Sequence, residues 1–432
     1  MHNQDCSPTV ANCTFSGNRG SDGGGMWNSG SSPTVSNCTF RDNTASYNGG
    51  GMCNVSSSPT VTNCTFSGNT AGSVYGRGGG MYNTGSSPTV TNCTFSGNTA
   101  SGHYTSAEGG GGMYNNGGSP TVTNCTFSGN TTEYGSGGGM CNYYYGSPTV
   151  TNCAFSGNTA VSDGGGMYNY SGKPTVTNCT FSDNTAGYYG GGMYNSSGSP
   201  TVTNCTFSGN TADYDGGGMY NVSGSPTVAN CIFWDNTAPL GAEIYKGSGT
   251  PTFSHCDIRG SGGSGALWNP ALGVDGGGNI MSDPRFVAPG TPAGADGLWR
   301  TGDDGLRLQS NSPCIGAADP AVAPGTDILG LPRSSPPDIG AYEYASGGGS
   351  WTLTYNAGAG GSISGTTPQT VAPGADGSQV TAVPSAGYHF VQWSDGVKTA
   401  SRTDTNVTAD INVTAVFAHS KPAAVQDWSL YE

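Results

Sequence analysis

The sequence predicts an all-β fold: a parallel β-helix of about ten coils, three short strands to a coil, followed by a small separate β module. Three observations predict it. One phrase, Ser-Pro-Thr-Val-Thr-Asn-Cys-Thr-Phe-Ser-Gly-Asn-Thr-Ala, a variable stretch, then Gly-Gly-Gly-Met-Tyr-Asn, recurs over some 250 residues. Its Met returns at Met26, Met52, Met81, Met113, Met140, Met167, Met193 and Met219, a period at which each unit must stack on its neighbours to bury a core. Punctuation by 76 Gly and 25 Pro, with no i, i+3, i+4, i+7 apolar spacing, excludes helices.

Cys steps of 25 to 32 residues from Cys13 to Cys256 trace ten coils. Stacked at roughly 4.8 Å, these make a rod about 48 Å long. Each Pro lies five residues before the next Cys, as in Pro59 and Cys64. Nearly all the length variation therefore falls between Phe-x-x-Asn and Gly-Gly-Gly-Met, longest from Thr99 to Gly112. Variable turns on one edge of a solenoid are where binding evolves.

Val61, Cys64, Phe66 and Met81, with their equivalents, are expected to point inward and stack on like residues. Asn63 and Asn69 are placed at bends, where Asn tolerates left-handed backbone and its amide can bond the amide one coil away. The three Gly before each Met permit a tight bend and close backbone approach. All these roles are structural.

Phe66-Ser67-Gly68-Asn69 and Phe233-Trp234-Asp235-Asn236, alternating with Gly79-Gly80-Met81, resemble the repeats of chlamydial polymorphic outer-membrane proteins and of bacterial right-handed parallel β-helix repeat proteins. The chain departs from the chlamydial pattern in using Gly-Met where Ala-Ile is usual, and in lacking a membrane barrel. The resemblance implies a right-handed helix, secreted or surface-displayed and often adhesive, and supplies no catalytic residue.

The repeat fades after Cys231. Gly241-Ala242-Glu243-Ile244-Tyr245 and Gly265-Ala266-Leu267-Trp268-Asn269 read as degenerate Gly-Gly-Gly-Met-Tyr-Asn strands. The segments around Asp283-Pro284-Arg285-Phe286, Ser312-Pro313-Cys314 and Asp338-Ile339-Gly340-Ala341-Tyr342 are similar to the C-terminal region of choice-of-anchor Q β-helix proteins. The expected organisation is repeats over 1–262, degenerate coils and a polar cap over 263–346, a linker, a β module over 351–418 and a tail over 419–432. The module, with its Gly387-Tyr388-His389-Phe390-Val391-Gln392-Trp393 run, resembles the divergent internalin-B-type B repeat of bacterial surface proteins. Such modules serve mostly as spacers; Trp393 is expected in its core.

Charged residues make up 9% of the chain and the net charge is −14, which argues against nucleic acid or anionic membrane as partners. No apolar run approaches the 18 residues of a membrane span. The chain enters its repeat almost at once, so it is read as part of a secreted or cell-surface precursor whose signal peptide lies outside it.

Ten of the 14 Cys share one inward column. Stacked neighbours suit a disulfide's Cα distance but not its dihedral near 90°, so free thiols packing as small hydrophobes are expected. Cys53 and Cys141 stand alone in the outward Tyr column, and no pairing resembles a zinc site. The Asn63-Cys64-Thr65 sequons are expected to be poor glycan acceptors in a buried turn.

No cofactor is expected. The charges of the regular coils are too scattered for a hydrolase's paired carboxylates or a lyase's acidic cluster with its base, so catalysis is the lesser reading. Asp296, Asp303 and Asp304 alternate with Gly in one loop and supply hard oxygen ligands, a candidate calcium site, although Asp-Gly is also ordinary turn chemistry.

The favoured reading is a non-catalytic, extracellular scaffold or adhesin. Two outward columns are candidates for binding glycans or surface proteins: the ladder Trp27, Tyr82, Tyr114, Tyr168, Tyr194 and Tyr220, and the insertion-turn set Tyr47, Tyr75, Tyr104, Tyr134, Tyr188 and Tyr214. The plainer role of stacked Tyr is to stabilise the sheet. Head-to-tail self-assembly through an open terminal coil is a rival. So is ice binding by the outward Thr of Thr60-Val61-Thr62 and its copies, although Thr is also simply a good outward strand residue.

Overall fold

The computed structural model describes residues 1–73, 75–102, 108–344, 351–371, 376–405, 407 and 410–420. The chain divides into two compact units, one of Met1–Arg300 with Asp304–Tyr344, the other of Thr301–Asp303 with Ala345–Glu432.

The first unit is a parallel β-solenoid of about ten turns, with no helix among the described residues. Eight of the coils have a fourth short strand beyond the three expected. The Met-Tyr-Asn strands stack into a ten-stranded sheet from His2–Gln4 to Ile244–Lys246. The Thr-Val-Thr strands form eleven, from Thr9–Ala11 to Val274–Asp275. The Thr-Phe-Ser strands form ten, from Thr14–Ser16 to Asp257–Ile258. Two-residue Thr-Ala segments, from Arg19–Gly20 to Thr211–Ala212, add an eight-stranded ladder that the sequence did not disclose.

Register is strict because identical residues stack: Met81 on Met113, Val61 on Val90, Phe66 on Phe95, Ala71 on Ala100. The Met, Val and Phe side chains fill one continuous core together with the Cys column. The Phe rings form a single pile from Phe15 to Phe233, centroids 4.6 to 4.8 Å apart and planes within 6°. That spacing is the rise of a parallel sheet. The last coil swaps its residues, with Phe253 in the Val column and Ile258 in the Phe column, so Phe253 meets Phe233 edge-on at 85°.

Three Asn columns carry the polar half of the fold. Asn69 is inward: its Oδ1 accepts from the Asn43 backbone N and Nδ2, and its own Nδ2 donates to Phe40 O and Asn98 Oδ1. It lies at the corner between the strands Thr65–Ser67 and Thr70–Ala71, where the left-handed φ of 62° falls on the neighbouring Gly68 rather than on Asn69 itself. Asn63 does carry a left-handed φ of 54° and donates to Asn37 Oδ1. The third column, Asn83 and its equivalents, is the buried Asn of the Met-Tyr-Asn strand, with amide bonds of 2.7 to 2.8 Å coil to coil. At the bend before Met81, Gly78 has φ 68° and a Cβ on Gly79 would sit 2.5 Å from Thr99 O. Neighbouring coils therefore approach more closely there than any side chain allows.

The cap also departs from the expectation. Gly265 to Asn269 forms no strand; Leu267 is exposed and Trp268 packs near Phe253, ring centroids 6.2 Å apart. The segment beyond Asp275 does not end the stack but folds back along its side. Asn178 Nδ2 donates to Thr326 O, Asn204 Nδ2 to Asp338 O, and Asn230 Nδ2 to Asp319 O, while Thr206 Oγ1 accepts from Ala341 N. Ile232, which replaces Thr in its column, anchors a second core of Phe286, Leu306, Cys314, Ile339 and Tyr342.

The second unit is a β module with a four-stranded sheet, ordered Gln369–Val371, Trp351–Ala357, Ile411–His419 and Tyr388–Trp393, and a three-stranded one, Gly361–Ser364, Val380–Pro384 and Ser401–Arg402. Trp393 is fully buried with Leu353, Tyr355 and Phe417, and Arg402 lies 5.2 Å from its ring while pairing with Asp395 and Asp404.

Candidate functional site

The insertion turns sit between the Thr-Ala ladder and the Gly-Gly-Gly bend. Several of their backbones are held coil to coil, Tyr47 N to Ser21 O, Tyr134 N to Ser101 O and Tyr214 N to Tyr188 O. Tyr47, Tyr75, Tyr134, Tyr188 and Tyr214 are 39 to 52% exposed. Tyr188 and Tyr214 stack at 5.5 Å, and Tyr189 adds a tilted ring 4.7 Å from Tyr220. Tyr104 lies outside the described residues.

The other aromatic column is different from its expected outward display. Cys53, Tyr82, Tyr114, Cys141 and Tyr168 are buried and, with Tyr143, make a small core of their own. Two causes combine. Stacked rings hide each other, as Tyr82 and Tyr114 do at 5.4 Å. The longer insertion turns then close over them: Arg77 lies 5.8 Å from the Tyr114 ring and pairs with Glu108. Where Cys141 leaves a gap, Tyr143, two residues along on the same strand face, fills it. Burial pushes the Cys141 thiol up to about 12 and the phenols of Tyr114 and Tyr168 well above their ordinary range, so these three groups stay uncharged. Trp27, Tyr194 and Tyr220 remain half-buried toward the ends.

Cys64 Sγ accepts from Cys38 N at 3.4 Å and donates to Thr62 O at 3.2 Å, and every Cys of the chain is a free thiol. The sequon Asn are not uniformly buried. Asn12, Asn37, Asn63 and Asn92 are exposed because the left-handed bend turns them out, whereas Asn178 and Asn204 are covered by the folded-back segment. In the acidic loop, Asp304 is fully buried and accepts from Tyr342 Oη and Arg300 N, Asp303 accepts from Thr301 Oγ1, and Asp296 from Leu298 N. Among the described residues no three His, Cys, Asp or Glu side chains gather as a metal site.

Sequence reasoning missed a cleft of about 460 Å³ lined by Trp234, Asp235, Asp283, Arg285, Phe286, Pro289 and Gln309. One signal was legible: Trp234 occupies a column otherwise filled mostly by Ser, directly after Ser208.

A continuous parallel β-solenoid, with no helix among the described residues, defines the structural class. A model of the right-handed β-helix region matches residues 1–153 and 112–271, well over half the chain, and the chain belongs to that family. A model of the divergent InlB B-repeat domain matches residues 351–421. These two matches are compatible with a surface-associated repeat protein; the fold itself hosts both enzymes and non-enzymes. No curated protein matches the chain.

Proposed function

We propose that the chain is a non-catalytic scaffold, secreted or held at a cell surface, whose insertion-turn edge adheres to glycans or surface proteins. One observation carries this reading: five Tyr of the insertion turns stand exposed, and two of them, Tyr188 and Tyr214, stack coil on coil at 5.5 Å. Such rings offer rigid apolar faces and hydroxyls at little entropic cost, and solvent-facing aromatics in number mark interaction surfaces. The B-repeat match and the resemblance of the coils to adhesive chlamydial repeats support the same setting. Changing Tyr47, Tyr188 and Tyr214 together to Ser tests it on a glycan array and against whole cells. The expected result is at least a tenfold loss of retention with an unchanged melting temperature. Unaltered retention overturns the reading.

A further inference from the structure

The cleft at residues 234–309 has the composition of a built ligand site, and none of its residues belongs to the Tyr edge. Its volume of about 460 Å³ lies within the range of small-ligand pockets. One wall is Trp234, half-buried where the preceding coil has Ser208. The indole is held in place: Arg259 from the next coil lies 5.7 Å from its ring and pairs at 2.6 Å with Asp235. Phe286, buried, stands at the base as part of the second core.

The turn at Asp283 to Phe286 supplies a further part of the lining and is strained. Arg285 carries φ 53°, a left-handed conformation unusual for a residue with a long side chain. Asp283 Oδ1 fixes it by accepting from Arg285 N at 2.8 Å, and Gln309 N donates to Arg285 O at 2.9 Å. Gln309 is clamped in turn, since its Nε2 donates to Phe286 O. The lining thus combines the Trp234 indole with the exposed Arg285, the exposed carboxylates of Asp235 and Asp283, and the amide of Gln309. Maintained strain of this kind is characteristic of functional sites.

We infer that this cleft binds one residue of a neutral saccharide, its apolar ring face against Trp234 and its hydroxyls toward Asp283, Arg285 and Gln309. The class follows from the lining. An aromatic wall suits the C–H face of a pyranose, and donors and acceptors in equal measure suit hydroxyls, each of which both gives and takes. The charges balance, Asp235 against Arg259 and Asp283 against Arg285, so neither a polyanion nor a polycation is favoured.

Isothermal titration of the full chain with neutral tetrasaccharides of glucose, mannose, galactose and N-acetylglucosamine, and with tetragalacturonate, tests the inference. Two variants accompany it. Trp234→Ser restores the residue of the preceding coil, and Arg285→Gly removes the guanidinium while relieving the left-handed strain, so both should fold. The expected result is binding of at least one neutral sugar, weakened tenfold or more by Trp234→Ser and severalfold by Arg285→Gly. The Tyr47, Tyr188 and Tyr214 substitutions should leave it unchanged, which separates this site from the edge. Absence of binding, preference for tetragalacturonate, or indifference to both cleft variants overturns the inference.

Discussion

The buried Asn69 column shows how one residue type does several jobs at once. Each amide takes two hydrogen bonds from the coil before it and gives two of its own, which satisfies backbone groups that a tight bend would orphan. Such a ladder needs a terminal acceptor. Asn236 finds it in Glu243, whose Oε2 accepts from its Nδ2 at 2.5 Å and its backbone N at 3.4 Å. Burial holds the Glu243 carboxyl up at about 7, and those of Asp163, Asp257 and Asp338 up at about 6. A carboxyl whose folded pKa is raised binds its proton more tightly in the native state. Its contribution is therefore fully present below the ordinary carboxylate range and is lost as pH rises through the folded value. The melting temperature should fall between pH 5 and pH 8. Glu243→Gln keeps the acceptor and removes the titration, so it should flatten part of that slope; an equally steep slope in the variant would refute the assignment.

At the scale of the element, the segment folded along the coils is held by polar contacts of unusual density. Arg333, nearly inaccessible, pairs with Glu343 and donates to Gly340 O, Ala341 O and Asn178 Oδ1. Removing one partner of a buried pair leaves the other charge uncompensated, typically at a cost of about 3–5 kcal/mol. Arg333→Ala should therefore loosen residues 319–343 while the strands before Thr175 stay protected, a split that hydrogen exchange resolves. Uniform loss of protection would show that the segment and coils melt as one. This element also marks where sequence reading ran out. The strands from Met26 to Met219 were legible because each is written eight times with the same inward residues. Residues 263–344 occur once, without period, so neither their sideways path nor the cleft they form with Trp234 could be read from pattern. The Tyr82 column failed for a related reason: what roofs it comes from Arg77 and Glu108, in turns whose lengths differ from coil to coil.

Across the whole molecule, the first unit behaves as a one-dimensional stack. Nearly every strand touches only the coil before and the coil after, in parallel register, and the Phe pile and Asn ladders repeat those same contacts. Stability is then close to a sum over coils and their interfaces, and no single coil is indispensable. Deletion of residues 26–51 puts this to a direct test. It joins Gly25 to Met52, regenerates Gly-Gly-Gly-Met, and sets His2 to Gln4 against the strand Met52–Val55 in the register they now keep with Met26–Ser29. The Phe pile loses one ring, Phe40, and Phe15 comes to rest on Phe66; in the same way Asn43 drops out and Asn18 meets Asn69. The folded-back segment, which grips Asn178, Asn204 and Asn230, is untouched. The shortened chain should fold with the same β circular-dichroism spectrum and a melting temperature only a few degrees lower, because one interface among many is lost. Collapse to an unfolded or aggregated chain would mean that the coils depend on contacts beyond their neighbours, and the nearest-neighbour account would fail.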